Sequence, residues 1–135
     1  MKAILISKTG GPEVLKLKNI KLKDPKANEV LIENKAIGLN YIDTYHRSGL
    51  YPLNLPSNIG MEGSGIIKKI GSKVKKFKIG DKVAYASSPL GSYATHRIFP
   101  TKTLIKIPKS INFDIAATLM TKGITAYYLL HKTYA

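Results

Sequence analysis

Between Lys2 and Ile107 the chain never runs far without turn chemistry, and this punctuation limits its fold more than any other feature. Short apolar or alternating runs are separated by Thr9-Gly10-Gly11-Pro12, Asp24-Pro25-Lys26-Ala27-Asn28, Gly71-Ser72, Gly80-Asp81 and Ser87-Ser88-Pro89-Leu90-Gly91. Glycine supplies positive φ, proline presets one turn dihedral, and Asp or Asn side chains close the backbone locally. The runs between them read as strands over Lys2–Ser7, Val14–Asn19, Glu29–Ile37, Ile66–Ile70, Lys82–Tyr85, Ser92–Ile98 and Leu104–Ile107. Val14–Asn19 alternates as a half-buried strand paired antiparallel to the first. Seven or so short strands at this spacing predict a compact, mainly β core of barrel-like form.

The regularity breaks between Ala36 and Gly65. From Leu39 to Arg47 the apolar period lengthens towards that of a helix, with Asn40 at the N-cap position and Ser48-Gly49 as the stop. Tyr51-Pro52 through Pro56-Ser57 is loop. Gly60-Met61-Glu62-Gly63-Ser64-Gly65 has the order G-x-x-G-x-G and leads into a strand, not a helix N-terminus, so the nucleotide fingerprint is rejected. Glu62, flanked by glycines, is expected to be part-buried, either accepting backbone N–H groups that pin the loop or acting directly. After Ser110–Asp114, which supplies capping residues, Ile115–Met120 and Ile124–Tyr134 follow helical spacing with a break expected near Lys122-Gly123. The second piece is apolar on most sides and calls for neighbours on most sides, with Tyr127 and Tyr128 expected in the core.

Composition narrows the function. The 135 residues suit one domain with its own core. No cysteine is present, which removes disulfides, thiolate nucleophiles and Cys-held metals, and His46, His96 and His131 form no ligand motif. No metal is therefore expected. No apolar run approaches the roughly 18 residues of a membrane span, and no signal-like segment precedes the first strand, so a cytoplasmic, non-membrane protein is expected. The net charge of +14 raises the question of nucleic acid, but of the 22 basic residues only Arg47 and Arg97 are arginines and the lysines are dispersed. A solvated lysine surface, or a background field favouring a multiply negative ligand, accounts for it better. No nucleic-acid partner is expected.

Gly10–Leu15, Asn34–Tyr45, Arg47–Pro52, Gly80–Val83 and Lys122–Leu130 together resemble the NADPH:quinone oxidoreductase (zeta-crystallin-like) branch of the medium-chain dehydrogenase/reductase superfamily. The likeness covers essentially the whole chain. It implies a GroES-like, partly open β-barrel, α+β in class, with a short helix after strand three and C-terminal helices, spanning residues 1–135. It implies NADPH as cofactor and hydride transfer to a small quinone or enone. It also implies zinc independence, since the Cys and His of zinc-dependent relatives are replaced, with Met61 following Gly60.

Carried over by position, Asn40, Tyr41, Asp43 and Tyr45 match the cofactor-binding loop and helix, Lys122 and Thr125 approach the cofactor from the other side, and Tyr51 matches the substrate pocket. No catalytic residue is assigned. Alternatives stand beside these: Asn40 as a helix cap, and Asp43 paired with Arg47 at i, i+4. The family's Rossmann domain is not in this sequence, so the isolated chain is expected to be inactive and to bind NADPH weakly. Exposed apolar surface then predicts homo-oligomers or other association. The alternative is a GroES-like binding module without catalysis.

Overall fold

A computed structural model describes residues 1–134. The eight strands are β1 (Lys2–Ile6), β2 (Lys16–Asn19), β3 (Glu29–Gly38), β4 (Ser57–Asn58), β5 (Glu62–Ile70), β6 (Lys82–Ala86), β7 (His96–Pro100) and β8 (Ile105–Lys106). The helices are α1 (Tyr41–Ser48) and α2 (Phe113–Tyr128), the latter ending in a π turn over Leu129–Thr133. The strands form two open antiparallel sheets, β2-β1-β4 and β7-β3-β5-β6-β8. An isolated bridge between Ala3 and Ala94 joins the first sheet to the approach of β7. This is the partly open barrel that the turn spacing and the resemblance imply.

The core lies inside the larger sheet, where Val30, Ile32, Ile67, Phe77, Val83, Tyr85, Phe99 and Leu104 cluster. Val30, Leu31 and Ile32 are all buried, so β3 is covered on both faces over this stretch. Arg97 is also interior, its guanidinium 4.4 Å from the Tyr85 ring centroid and 4.6 Å from that of Phe99, with the Pro89 carbonyl accepting from it. Burial lowers the Arg97 pKa from its ordinary value. Tyr85 donates to Asn34 Oδ1 at 2.7 Å, and Asn34 Nδ2 donates to the Ser92 and Ala94 carbonyls, tying β6, β3 and the approach to β7 together.

Register shifts between β3 and β5 fall at Leu31/Ile32 and Asn34/Ala36, and the second, opposite Ser64 and Gly65, is a bulge of the kind expected near the glycine-rich start of β5. Helix α2 packs across β3, β5 and β6. Its seat is held by Ser64 Oγ donating to the Phe113 carbonyl at 2.7 Å and Lys82 Nζ donating to the Ile111 carbonyl at 2.9 Å. At Gly38 a Cβ would stand 2.2 Å from the Ala117 carbonyl oxygen, so this crossing requires the bare backbone of glycine.

Several expectations need correction. The second strand is shorter than Val14–Asn19: Pro12–Val14 is a 3-10 turn that buries Val14, and all four residues of β2 are exposed, Leu17 at 63%. As an edge strand of a three-stranded sheet, β2 has no second layer over it. Residues 92–95 stay outside the last long strand, which is His96–Pro100. Lys122-Gly123 does not break the helix, because one interior glycine costs only about 1 kcal/mol and the packing of α2 outweighs it. Tyr127 and Tyr128 are not core residues: they are 59% and 58% exposed, and Ile124 and Leu130 share that open surface.

Surface charge gives one pH prediction. Hydrogen bonds from Lys35, then Lys68, hold the Glu33 carboxyl at about 2 against an ordinary 4.5. Because the folded value is the lower one, this stabilisation is complete above pH 4.5 and is lost as the pH falls towards 2. Thermal melts across that window should fall more steeply for the parent chain than for Glu33→Gln, and parallel curves would contradict the pairing.

Candidate functional site

The site is built where β3 ends, α1 begins and α2 crosses. Asn40 leaves β3 in extended conformation at φ −130° and ψ 153°, and occupies the N-cap position of α1. The capping side chain comes from Asp43, whose Oδ2 accepts the Asn40 backbone N–H at 3.0 Å. The Gly49 N–H donates to the Tyr45 carbonyl at 3.1 Å, and φ of 91° at Gly49 closes the helix. Asp43 is 2% exposed and its Oδ2 also accepts from the Tyr93 hydroxyl at 2.8 Å. Burial, reinforced by this carboxylate, pushes the Tyr93 pKa up. Asp43 therefore does not pair with Arg47: its carboxylate turns back to the first turn of the helix, towards Asn40 and Tyr93.

The Asn40 side chain, which forms a capping box with Asp43, also has partners outside the helix. Its Nδ2 donates to Glu62 Oε2 at 2.8 Å, and its Oδ1 accepts from Lys122 Nζ at 3.1 Å. Lys122 Nζ also donates to the Leu39 carbonyl at 3.2 Å. Glu62 is fully buried, and its Oε1 accepts the backbone N–H of Thr121 at 2.8 Å. One carboxylate thus joins the start of β5, the Asn40 loop and the middle of α2. The backbone-pinning role expected of Glu62 is present, but the segment pinned is α2.

Beside this network lies a concavity of about 430 Å³ lined by Ile42, Met61, Ala86, Ser87, Thr103, Met120, Thr121, Ile124 and Thr125. Its walls are mostly apolar. Polar atoms come from hydroxyls: Ser87 and Thr103 are 2.8 Å apart, and Thr125 donates to the Thr121 carbonyl at 2.7 Å. Apolar walls with a few hydroxyls among them suit a flat heteroaromatic ring.

The residues selected from sequence separate into groups. Asn40 and Lys122 are in direct contact, Asp43 adjoins Asn40, and Thr125 is on the concavity wall. Tyr45 and Tyr51 pair edge to face at 5.4 Å, with His46 5.9 Å from Tyr51, and neither tyrosine lines that concavity. Tyr41 is 82% exposed and makes no side-chain hydrogen bond among the described residues. Glu62 and Thr121 were absent from the selected set. Glu62 carried a signal in its apolar, glycine-flanked setting, whereas Thr121 takes part through a backbone N–H and left none. Among the described residues no three of His, Cys, Asp and Glu are grouped to hold a metal ion, and no helix is long and apolar enough to cross a membrane.

Comparison with known proteins gives concordant results. The alcohol dehydrogenase GroES-like domain model matches residues 26–109. The chain is 48% identical over 134 residues to a quinone oxidoreductase of Pseudomonas aeruginosa, covering 98% of this chain and 41% of that relative. It is 54% identical over 129 residues to quinone oxidoreductase 1 of Escherichia coli, covering 94% and 39%. The crystal structure of Escherichia coli quinone oxidoreductase complexed with NADPH superposes with a TM-score of 0.96 at 48% identity, over 98% of this chain and 41% of that one. The chain thus spans about two-fifths of the length of these relatives.

Proposed function

The chain belongs to the alcohol dehydrogenase GroES-like domain family, and from that premise we propose that it forms one wall of the nicotinamide cleft of an NADPH-dependent quinone reductase. The observation that carries the proposal is the meeting of Asn40, Lys122 and Glu62, joined through the Thr121 N–H to the wall of an apolar concavity that carries a few hydroxyls. The likeness to an NADPH-complexed quinone oxidoreductase supports the same reading.

When bound, NADPH supplies the hydride from C4 of its reduced ring to the conjugated acceptor, whose oxygen takes up the electron pair and then a proton from water. This chain's residues bind and orient. Ile42, Met61, Met120 and Ile124 exclude water from one ring face, and Thr121 and Thr125 lie at its edge. The Lys122 ammonium offers charge where an oxygen becomes negative. Tyr45 is assigned to the cofactor side of the cleft and Tyr51, 5.4 Å from it ring to ring, to the acceptor pocket. With no cysteine in the sequence and Met61 after Gly60, the reaction proceeds without a Cys- and His-held zinc.

We place this domain in the cytoplasm and assign the exposed surface around Ile124, Tyr127, Tyr128 and Leu130 to association with another domain or chain. Quinone turnover tests the proposal. A chimera carrying these 135 residues in place of the matching part of Escherichia coli quinone oxidoreductase 1 should oxidise NADPH with 1,4-benzoquinone, while the chain alone should not. A chimera that binds NADPH but reduces no quinone would overturn it.

A further inference from the structure

The buried carboxylate of Glu62 has two partners, and their identities fix the polarity of the whole network. An ionised carboxylate only accepts. With Thr121 N–H on Oε1, Oε2 requires a donor, which orients the Asn40 carboxamide with Nδ2 towards Glu62 and Oδ1 outward. The outward oxygen then accepts from Lys122, whose third N–H has no acceptor among the described residues. We propose that Glu62 is a positioning residue: by setting the direction of the Asn40 carboxamide it holds the Lys122 ammonium at the cleft, with one N–H available to the carbonyl oxygen of the acceptor. This deepens the quinone-reductase reading and rests on it.

Chemistry that reverses the polarity tests the inference. In Glu62→Gln the new Oε1 keeps the fixed Thr121 N–H, so its Nε2 faces Asn40. The Asn40 carboxamide must then turn to accept, which leaves Nδ2 opposite the Lys122 ammonium, donor against donor. Adding Asn40→Asp supplies a carboxylate that accepts from both the introduced amide and Lys122, and aspartate is as acceptable as asparagine at an N-cap.

In the chimera, Glu62→Gln and Lys122→Met should each lower kcat about 100-fold, and Asn40→Asp/Glu62→Gln should recover to within about fivefold of the parent. In the chain itself, the nitrogen-15 ammonium signal of Lys122 should be lost in Glu62→Gln and return in the double variant. The exposed Lys122→Met is expected to fold whatever the fate of the Glu62 variant. A folded double variant no better than Glu62→Gln, full kcat in Lys122→Met, or a Lys122 signal indifferent to Glu62→Gln overturns the inference. If the parent chimera reduces no quinone, the function reading fails by itself, and the ammonium signal still decides whether Glu62 sets the network.

Discussion

Replacing Glu62 with leucine should destabilise the chain by about 3 kcal/mol and loosen α2 from the sheet. Leucine roughly preserves volume and restores apolar packing, so the expected loss is not a cavity effect. It comes from the partners left behind. The Asn40 Nδ2, in a buried bond, and the Thr121 N–H, in a part-buried one, would each lose a charge-assisted acceptor at 2.8 Å. Urea unfolding gives the magnitude, and amide exchange along α2 gives the location. The increase in exchange should centre on Thr121 and reach its neighbours in the helix. A loss below about 1 kcal/mol would mean that Glu62 is a bystander, since even one buried donor left unpaired costs more than that.

The second large effect is expected at Gly38. An alanine Cβ there would stand 2.2 Å from the Ala117 carbonyl oxygen and 2.7 Å from Glu62 Oε2. The first obstacle is backbone in the middle of a helix and cannot yield by a rotamer change, so α2 must lift from β3. The cost expected is about 3 kcal/mol, at the upper end of overpacking penalties, because the lift also stretches the Glu62 bond to Thr121. The two sites act on one contact and should not add. In a double-mutant cycle, Gly38→Ala combined with Glu62→Leu should cost less than the sum of the single changes by about 1 kcal/mol or more. Strict additivity would show that helix seating and the Glu62 network are separate.

What the sequence discloses and what it withholds follow from how local each determinant is. The strands of the larger sheet were legible because their turns are written in neighbouring residues, as at Gly80-Asp81 before β6. Helix α1 was legible for the same reason, with its N-cap and its closing Gly49 both in place. The two-residue β4 was not, since Ser57 and Asn58 pair with β1 only through contacts distant in sequence. Gly123 read as a break because the packing that keeps α2 continuous comes from β3, β5 and β6.

The site divides in the same way. Asn40, Asp43, Lys122 and Thr125 could be selected through resemblance, and Glu62 stood out by its setting. Their partners could not be read. Asp43 met Tyr93, 50 residues away, instead of Arg47 one turn on, because the capping geometry directs its carboxylate to the helix start. Likewise, Glu62 reaches 59 residues along the chain to a backbone N–H that no residue type announces.

If the concavity between α1 and α2 receives the nicotinamide ring, through-space magnetisation transfer in the same chimera will place the ring there. With methyl-labelled protein and NADPH bound, the ring protons of the dihydronicotinamide should transfer to the methyls of Ile42, Met61, Met120 and Ile124. Silence at those four, with transfer to methyls on the outer face of β2 such as Leu17, would contradict it.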